Sequence, residues 1–270
     1  MAELKCGVVI PVYRQNLLET EVISLKQCCK QLADYPIIII TYKTLHIAEY
    51  IKILEEYNIN YKIEYFSKMC FEGTAGYSAL MFSDKFYKRF LCYEYILIYQ
   101  LDAYIFTSNL DYWLEQGYDY IGGPALKEIR HTLEFKWTEY FNGGFCLRKT
   151  ELFYRLCFTN TIKFNKVYCS LLQKNRSSKS MFVNICLTAL YVFIRFIMQL
   201  SNITPKSEDF IWSDIIKQKG KAPSFNTALE FSFDNYPQYA FVLNNGKLPF
   251  GCHAWDVFYP YEFWKKYIEK

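Results

Sequence analysis

Four clusters of residues fall where predicted strands end or loops begin, and each contains residue types that occur in catalytic sites. They are Asp102, Asn142-Gly143-Gly144, Glu208-Asp209 and His253. Each cluster by itself also has a purely structural explanation. The glycine pair could form a turn that needs positive φ, the acidic pair could begin a helix whose dipole favours carboxylates, and His253 could be a hydrogen-bonded core histidine.

Together the clusters offer the chemistry that sugar transfer from a nucleotide diphosphate requires. An aspartate and a histidine can hold a divalent ion on the diphosphate, where the ion offsets the charge of the leaving group. A Gly-Gly turn lets backbone N–H groups approach a ligand, and a carboxylate can deprotonate an attacking hydroxyl. We therefore expect the four clusters to share one site.

The stretch 95–106 is expected to position Asp102. Ile96, Leu97 and Ile98 predict a strand buried on both faces. An unpaired charge inside such a strand is costly, so Asp102 should lie where the strand emerges into a cleft, as ligand sites of open α/β sheets do.

Strands and amphipathic helices alternate along the chain, which predicts an α/β fold with a mostly parallel sheet and flanking helices. The predicted segments are strands at 6–13, 37–40, 61–66, 119–124 and 140–148, helices at 19–32, 47–57, 77–90, 110–116 and 150–157, and a loop at 72–76.

The composition is that of a folded protein. With 270 residues, 52% hydrophobic and 21% charged, the chain is long enough for a single α/β domain over 1–270. The net charge of +4 is too small to indicate a nucleic-acid partner. The ten cysteines include no CxxC pair, and the N-terminus lacks the layout of a signal peptide. Both observations favour the reducing cytoplasm.

Residues 160–204 are predicted to be a helical, basic insertion in this domain. Its basic residues from Lys163 to Lys179 precede the most hydrophobic window of the chain, 181–200. That window is long enough to span a bilayer, but a span would put Asp102 and His253 on opposite sides of it. We rank a buried helix first, a helix lying on the inner membrane face with the basic run on anionic lipid second, and a span third.

The motifs YQLDAYIF, GYDYIGGP, FNGGFCLRK, SEDFIWS and LPFGCHAW, in this order, resemble those of a glycosyltransferase family known mainly as a domain of unknown function, with a GT-A-like fold. The resemblance extends from Val8 to Trp255, with 160–204 specific to this chain. It implies transfer of a sugar from a nucleotide-diphosphate sugar, a UDP-sugar, to a glycan or lipid-linked acceptor. It further implies inversion at the anomeric carbon and a role in surface polysaccharide biosynthesis.

The resemblance also implies roles for individual residues. GT-A enzymes carry an Asp-x-Asp metal motif where this chain has Asp102-Ala103-Tyr104. Mn²⁺ or Mg²⁺ would thus be held by Asp102 with His253, unless the protein is a metal-independent variant. Asp209 is implied as the catalytic base and Glu208 as a ligand of the acceptor, with the reverse assignment as the alternative. The implied donor-binding residues are Pro11, Val12, Tyr13 (stacking on uracil), Gly76, Tyr77, Gln100, Asp102, Ala103, Asn142, Gly143 and Gly144.

Two other functions compete with this one. A catalytically silent GT-A-like domain that binds a glycan or a partner enzyme is favoured by Tyr104, which replaces the second aspartate. However, a binding module needs no general base, so the acidic pair favours an enzyme. A nucleotidyltransferase would carry a glycine-rich phosphate loop near the first strand, and the sequence has none there.

Overall fold

The computed structural model describes residues 4–129, 134–178 and 180–268. The strands are β1 (Leu4–Pro11), β2 (Ile37–Thr41), β3 (Tyr61–Tyr65), β4 (Tyr93–Tyr99), β5 (Tyr104–Ile105), β6 (Tyr120–Ile129), β7 (Glu134–Lys149), β8 (Ser232–Phe233) and β9 (Gly251–Cys252). The helices are α1 (Glu19–Gln31), α2 (Ala48–Glu56), α3 (Thr74–Met81), α4 (Asp84–Lys88), α5 (Leu110–Glu115), α6 (Thr150–Leu156), α7 (Asn160–Ser177), α8 (Met181–Leu200), α9 (Glu208–Lys219), α10 (Phe225–Phe231), α11 (Pro237–Leu243) and α12 (Phe258–Trp264).

A six-stranded sheet in the order β3-β2-β1-β4-β7-β6 forms the centre of the protein. β1 pairs in parallel with β2 and β4, and β2 with β3, whereas β7 runs antiparallel to β4 and β6. Parallel strands are covered on both faces, which explains the uninterrupted isoleucines of β2. The predicted α/β fold with a mostly parallel sheet and flanking helices is confirmed.

Successive side chains of the central strands enter two cores on opposite faces of the sheet. Val8 of β1 and Leu97 of β4 pack in the core formed with α1, α2 and α5. Val9 and Ile96 pack in the core formed with α3, α4, α6, α7 and α9. The sheet is therefore a rigid platform, and the loops at its carboxyl edge can carry a site.

A small second sheet in the order β5-β9-β8 joins parts of the chain that are distant in sequence. β9 is parallel to β8 and antiparallel to β5. The ends of β8 and β9 and the start of β5 consequently share one edge. Asp234 follows β8, His253 follows β9 and Asp102 lies just before β5, so this sheet places the three side chains side by side.

β7 carries a bulge beside that edge. Two steps along β6, from Gly122 to Pro124, correspond to five steps along β7, and the surplus residues include Asn142, Gly143 and Gly144. The side-chain oxygen of Asn142 accepts a hydrogen bond of 2.6 Å from the backbone N–H of Gly144. Bulges of this kind redirect the chain next to functional sites.

Three predicted local features are wrong. The loop predicted at 72–76 is already helical from Thr74, where α3 begins, and the helix predicted at 77–90 is the two helices α3 and α4. Ser83 separates them in extended conformation, at an N-cap position where serine is favoured. The pair Gly143-Gly144 lies inside β7 rather than in a break before a strand, and neither glycine has positive φ.

Two helices, α7 and α8, occupy most of residues 160–204, and α8 is not buried. α7 packs with Ile162 and Cys169 in the core beside α3 and α4. In α8, 6% of the hydrophobic window is buried, and Met198 is its buried residue. The first-ranked expectation of a buried helix is therefore wrong, because a window that is apolar all round does not reveal how much of it packs. By length and composition α8 could cross a membrane. Of the basic run that precedes it, Lys179 lies outside the described residues.

Candidate functional site

A cavity of about 390 Å³ opens at the carboxyl ends of β1 and β4. Of the residues predicted from sequence, those lining it are Pro11, Tyr13, Tyr77, Gln100, Asn142, Gly143, Gly144, Glu208, Asp209 and His253. An adjoining cavity of about 220 Å³ shares Pro11, Tyr13 and Gln100 with the first and adds Val12 and Asp102. The structure thus brings all four polar clusters to one cleft.

Gly76 and Ala103 are placed outside both cavities. Gly76 is buried in α3, where a Cβ would overlap the backbone carbonyl of Met69. Ala103 is fully buried, and its carbonyl accepts hydrogen bonds from the hydroxyls of Ser24 and Tyr99. Both residues therefore contribute to the packing behind the site and do not line its surface.

His253 lies between two aspartates. Its Nδ1 is 3.0 Å from Oδ1 of Asp234, and its Nε2 is 3.3 Å from Oδ1 of Asp102. The side-chain oxygen of Gln100 is also 3.3 Å from Nε2. Burial alone would lower the pKa of His253, but the charges of Asp102 and Asp234 raise it well above its usual value. Burial would raise the pKa of Asp102, but the His253 charge lowers it.

The pair Asp102 and His253 fits a divalent ion. Oδ1 of Asp102 is buried and, apart from its ion-pair contact with Nε2 of His253, has no polar partner among the described residues, so it can turn to a cation that displaces the proton between the two atoms. Two ligands on neighbouring corners of an octahedron with bonds of about 2.1 Å lie roughly 3 Å apart, close to the 3.3 Å between Oδ1 and Nε2. Asp234 on Nδ1 is the kind of outer partner that orients a metal-binding histidine.

Among the residues that the structure describes, no third protein ligand lies beside this pair. Within the described ranges no group of three or more His, Cys, Asp or Glu residues is arranged to hold a metal. Tyr104, which replaces the second aspartate of the motif, is buried in β5 with its ring against Phe106 and Trp255. Two protein ligands still suit Mg²⁺ or Mn²⁺ when substrate phosphates and water complete the coordination.

The acidic pair begins α9, and a buried arginine holds its first member, Glu208. Nη2 of Arg148 donates to both carboxylate oxygens of Glu208, at 3.1 and 3.2 Å, and its Nη1 donates to the Tyr87 hydroxyl at 2.9 Å. Arg148 is fully buried and Glu208 is 4% exposed. Glu208 is therefore committed to a structural ion pair, and Asp209, which lines the same cleft, is the member of the pair that has no ion pair of its own with Arg148.

The pKa of Asp209 is raised well above the usual value for an aspartate. The causes are burial first and the neighbouring Glu208 second, and Arg148 and His253 oppose them only in part. The dipole at the start of α9 favours an ionised carboxylate, but desolvation and the like charge of Glu208 outweigh it.

The two bulge glycines, Gly143 and Gly144, leave room for the side chains of the acidic pair and of His253. A Cβ on Gly143 would overlap Oδ1 of Asp209 and come within 2.6 Å of Oε1 of Glu208. A Cβ on Gly144 would overlap Nε2 of His253 and come within 2.8 Å of the Gln100 side-chain oxygen. The glycines are needed here for close approach rather than for a turn.

This arrangement predicts that the two glycines affect different functions. Gly144→Ala should weaken Mn²⁺ binding by about tenfold or more, the usual scale for disturbing the surroundings of a ligand, because the added methyl displaces His253. Gly143→Ala should leave Mn²⁺ affinity nearly unchanged, since its methyl meets Asp209. Calorimetric titration of Mn²⁺ into both variants tests this, each variant serving as the control for the other. Equal losses in both would contradict the assignment.

Arg148 and Asp234 are site residues that the sequence did not reveal. Asp234 follows a short apolar strand, the same signal that drew attention to Asp102, but β8 has only two residues and was not predicted. Arg148 stands in a strand among apolar residues, and arginines are rarely buried without a partner. Its partner, Glu208, is 60 positions away in sequence.

Solved glycosyltransferases share the fold. The galactosyltransferase LgtC, in complex with donor and acceptor sugar analogs, has a TM-score of 0.53 at 12% identity over 92% of this chain and 86% of LgtC. Mouse xyloside xylosyltransferase 1 has a TM-score of 0.52 at 9% identity over 93% and 97%. GlyE of Streptococcus pneumoniae TIGR4 has a TM-score of 0.52 at 12% identity, over 99% of this chain but 61% of GlyE. At such identities the likeness establishes the GT-A-like fold alone.

Family membership rests on a sequence match. None of the curated proteins matches the chain significantly. The profile of the family described as "Protein of unknown function (DUF5672)" matches residues 60–253, well over half of the chain and the part that contains Asp102, the glycine pair, the acidic pair and His253. The chain therefore belongs to the DUF5672 family.

Proposed function

We propose that this protein is a glycosyltransferase that moves a sugar from a UDP-sugar to a hydroxyl of a glycan or glycoconjugate. The observation that carries the proposal is one cleft with Asp102 and His253 on one side of the bulge glycines and Asp209 on the other. Asp102 and His253 suit a diphosphate with its cation, and Asp209 offers a general base. Surface polysaccharide biosynthesis at the inner membrane face is the setting that we propose for this activity.

The donor nucleotide is proposed to occupy the smaller cavity. Tyr13, at the end of β1, is 50% exposed with its ring available for stacking, and aromatic faces suit a base such as uracil. Arg14 lies 5.0 Å over that ring and its guanidinium bonds the Tyr13 hydroxyl, which fixes the ring at the cavity mouth. Asp102 and Gln100 reach the same cavity from the end of β4.

Mn²⁺ or Mg²⁺ would be held by Asp102 and His253. When bound, such an ion would neutralise charge on the diphosphate leaving group. On binding of such an ion, Nε2 of His253 would lose its proton and Asp234 would keep the remaining proton on Nδ1, so that the Nε2 lone pair faces the ion. Gln100 borders the same nitrogen at 3.3 Å and limits how far the ring can turn.

Asp209 is proposed as the general base. Its raised pKa brings its basicity closer to that needed at neutral pH, and Arg148 holds Glu208 so that the two carboxylates keep fixed positions. Asp209 would take the proton from the attacking hydroxyl as the new glycosidic bond forms at the anomeric carbon and the bond from that carbon to the diphosphate breaks, releasing UDP. A single displacement of this kind inverts the anomeric carbon.

The pH dependence follows from the Asp209 environment. Activity needs ionised Asp209, so kcat/KM should fall as pH drops through a pKa raised well above that of an ordinary aspartate. Glu208→Gln removes one cause of the raised pKa and should shift this acidic limb to lower pH. Rate profiles of both proteins test this, with Glu151→Gln, which alters an exposed pair with Arg155, as the matched control. A limb unmoved by Glu208→Gln would contradict the assignment.

Metal dependence is the next expected property. Asp102→Asn and His253→Ala should each weaken UDP binding in Mn²⁺ and make little difference in EDTA, because they remove the two protein ligands. Calorimetric titration of UDP measures both conditions. Equal UDP affinity of the unmodified protein in Mn²⁺ and in EDTA would remove the ion from the account.

The experiment that tests the proposed reaction is sugar transfer with identification of the product anomer. The protein is incubated with UDP-sugars and oligosaccharide acceptors, and NMR of the product gives the anomeric configuration. A product of inverted configuration supports Asp209 as the base in a single displacement. A product of retained configuration would overturn inversion while leaving sugar transfer standing.

A silent binding domain is the second candidate, because Tyr104 is buried and supplies no ligand in place of the second aspartate. Such a domain would bind UDP or a glycan without consuming a donor. It would also be indifferent to loss of the Asp209 charge, which separates it from the enzyme.

A further inference from the structure

α8 exposes an apolar surface that the rest of the chain does not cover. Nine of its large apolar side chains are exposed, among them Met181 at 79%, Phe182 at 74% and Phe193 at 57%. Soluble proteins rarely expose a contiguous apolar patch of this extent unless something binds it. We therefore expect this surface to bind a partner, and the charges of the neighbouring residues indicate which kind.

The helix is held along its length by α7. The hydroxyls of Tyr168 and Tyr191 are 2.6 Å apart, and the Asn175 amide donates to Thr188 at 3.2 Å. The opposite side of α7 packs against α3. α8 is thus attached by one seam, with its remaining faces pointing away from the protein.

The segment that carries this apolar surface is strongly basic. Residues 152–207 contain eight lysines and arginines and no aspartate or glutamate, although the whole chain has a net charge of only +4. The remainder of the chain consequently has 23 basic and 27 acidic residues. Three of the basic residues, Arg155, Lys166 and Lys206, pair with carboxylates.

Four exposed cations of the two helices have no such partner. Lys163, Lys174, Arg176 and Arg195 make no ion pair within the described part of the chain. Lys163 and Lys174 are eleven residues apart on α7, which is close to three full turns, so they share one stripe of that helix. Exposed apolar residues flanked by unpaired cations are the features that bind anionic lipid.

We propose that α8 lies in the plane of a membrane surface rich in anionic lipid, with its apolar side chains among the acyl chains and the α7 cations at the headgroups. A span is disfavoured because α7, attached along α8, would carry its lysines into the hydrocarbon. Pairing with a second copy is disfavoured because it would bring two strongly basic segments together.

α7, the helix that holds α8, packs against the helix that lines the cleft. Gln173 of α7 packs beside Gly73 and Gly76, and α3 lines the cavity with Tyr77. An acceptor anchored in the same membrane would then be close to the site, a consequence that rests on the proposed function. The membrane proposal itself is tested without any sugar nucleotide, so that its failure is distinct from failure of the proposed activity.

The test is co-sedimentation of the full chain with vesicles of phosphatidylcholine alone or mixed with phosphatidylglycerol. We expect binding to the mixed vesicles, lost at high salt, and reduced on the order of tenfold or more by Phe193→Glu with Phe196→Glu. Val242→Glu with Leu243→Glu, exposed apolar positions on α11, is the matched control and should bind normally. Lys163→Glu with Lys174→Glu tests the charge separately, should the apolar variant misfold.

Two outcomes would overturn the proposal. One is absence of binding to the mixed vesicles. If the protein then proves to be a dimer that Phe193→Glu with Phe196→Glu converts to a monomer, the apolar surface of α8 binds a second copy instead of lipid. The other is a deep insertion. A tryptophan placed by Phe193→Trp should be quenched by lipids brominated near the headgroup, and strongest quenching by lipids brominated at the chain ends would mean a span.

Discussion

Asp209→Asn is expected to lower the rate of sugar transfer by about a hundredfold or more, the usual scale for loss of general-base help. The amide keeps the shape of the side chain and removes its basicity. UDP affinity should barely change, because Asp209 lies across the bulge glycines from Asp102 and His253. Steady-state transfer rates and UDP titrations of the two proteins measure these quantities.

Stability provides the control for that variant. The pKa of Asp209 is raised in the fold, so ionising it costs stability as pH rises from the unfolded pKa of about 3.9 through the folded value. Asn cannot ionise, and the variant should be as stable as the unmodified protein or more stable at neutral pH.

Two activity results would contradict the assignment of the base. Full activity of both Asp209→Asn and Glu208→Gln would mean that the acidic pair only begins a helix and takes no part in catalysis. Normal transfer by Asp209→Asn with a dead Glu208→Gln would reverse their roles.

Arg148→Met is expected to destabilise the fold by about 3–5 kcal/mol, the range for breaking a buried ion pair by removing one partner. The cause is Glu208, which would remain in a nearly water-free position without its counter-charge. The Tyr87 hydroxyl would also lose its donor. The free energy of unfolding in urea measures the effect.

The matched control is Arg148→Met combined with Glu208→Leu. Replacing both charges by apolar groups of similar size removes the orphaned carboxylate and is often close to neutral. Most of the lost stability should therefore return, although the site would be altered. A single variant that loses less than about 1 kcal/mol, or a double variant no better than the single, would contradict the account.

The central sheet was predictable because its strands are buried on both faces. Runs such as Ile37–Thr41 have no polar residue until their end, and that pattern belongs to strands covered by helices. The second sheet was not predictable, since β5, β8 and β9 have two residues each, too few for a periodic signal. The exposure of α8 was missed because hydrophobicity predicts a nonaqueous neighbour without saying whether it is protein or lipid.

The site was predictable as a set of residues but not as a geometry. Asp102 and His253 stand out because polar residues interrupt apolar surroundings at strand ends. Asp234 and Arg148 act through partners that are distant in sequence, and single residues carry no signal of such pairs. The glycine pair was noticed for its flexibility, whereas the structure uses its lack of side chains.

The most direct test of the central claim, that this cleft transfers sugar, is release of UDP from a panel of UDP-sugars in Mn²⁺ and in EDTA. We expect at least one UDP-sugar to be consumed in Mn²⁺, and we expect EDTA or Asp102→Asn to suppress the release. UDP binding in Mn²⁺ without consumption of any donor, with water or with glycan acceptors, would contradict it and leave a silent binding domain.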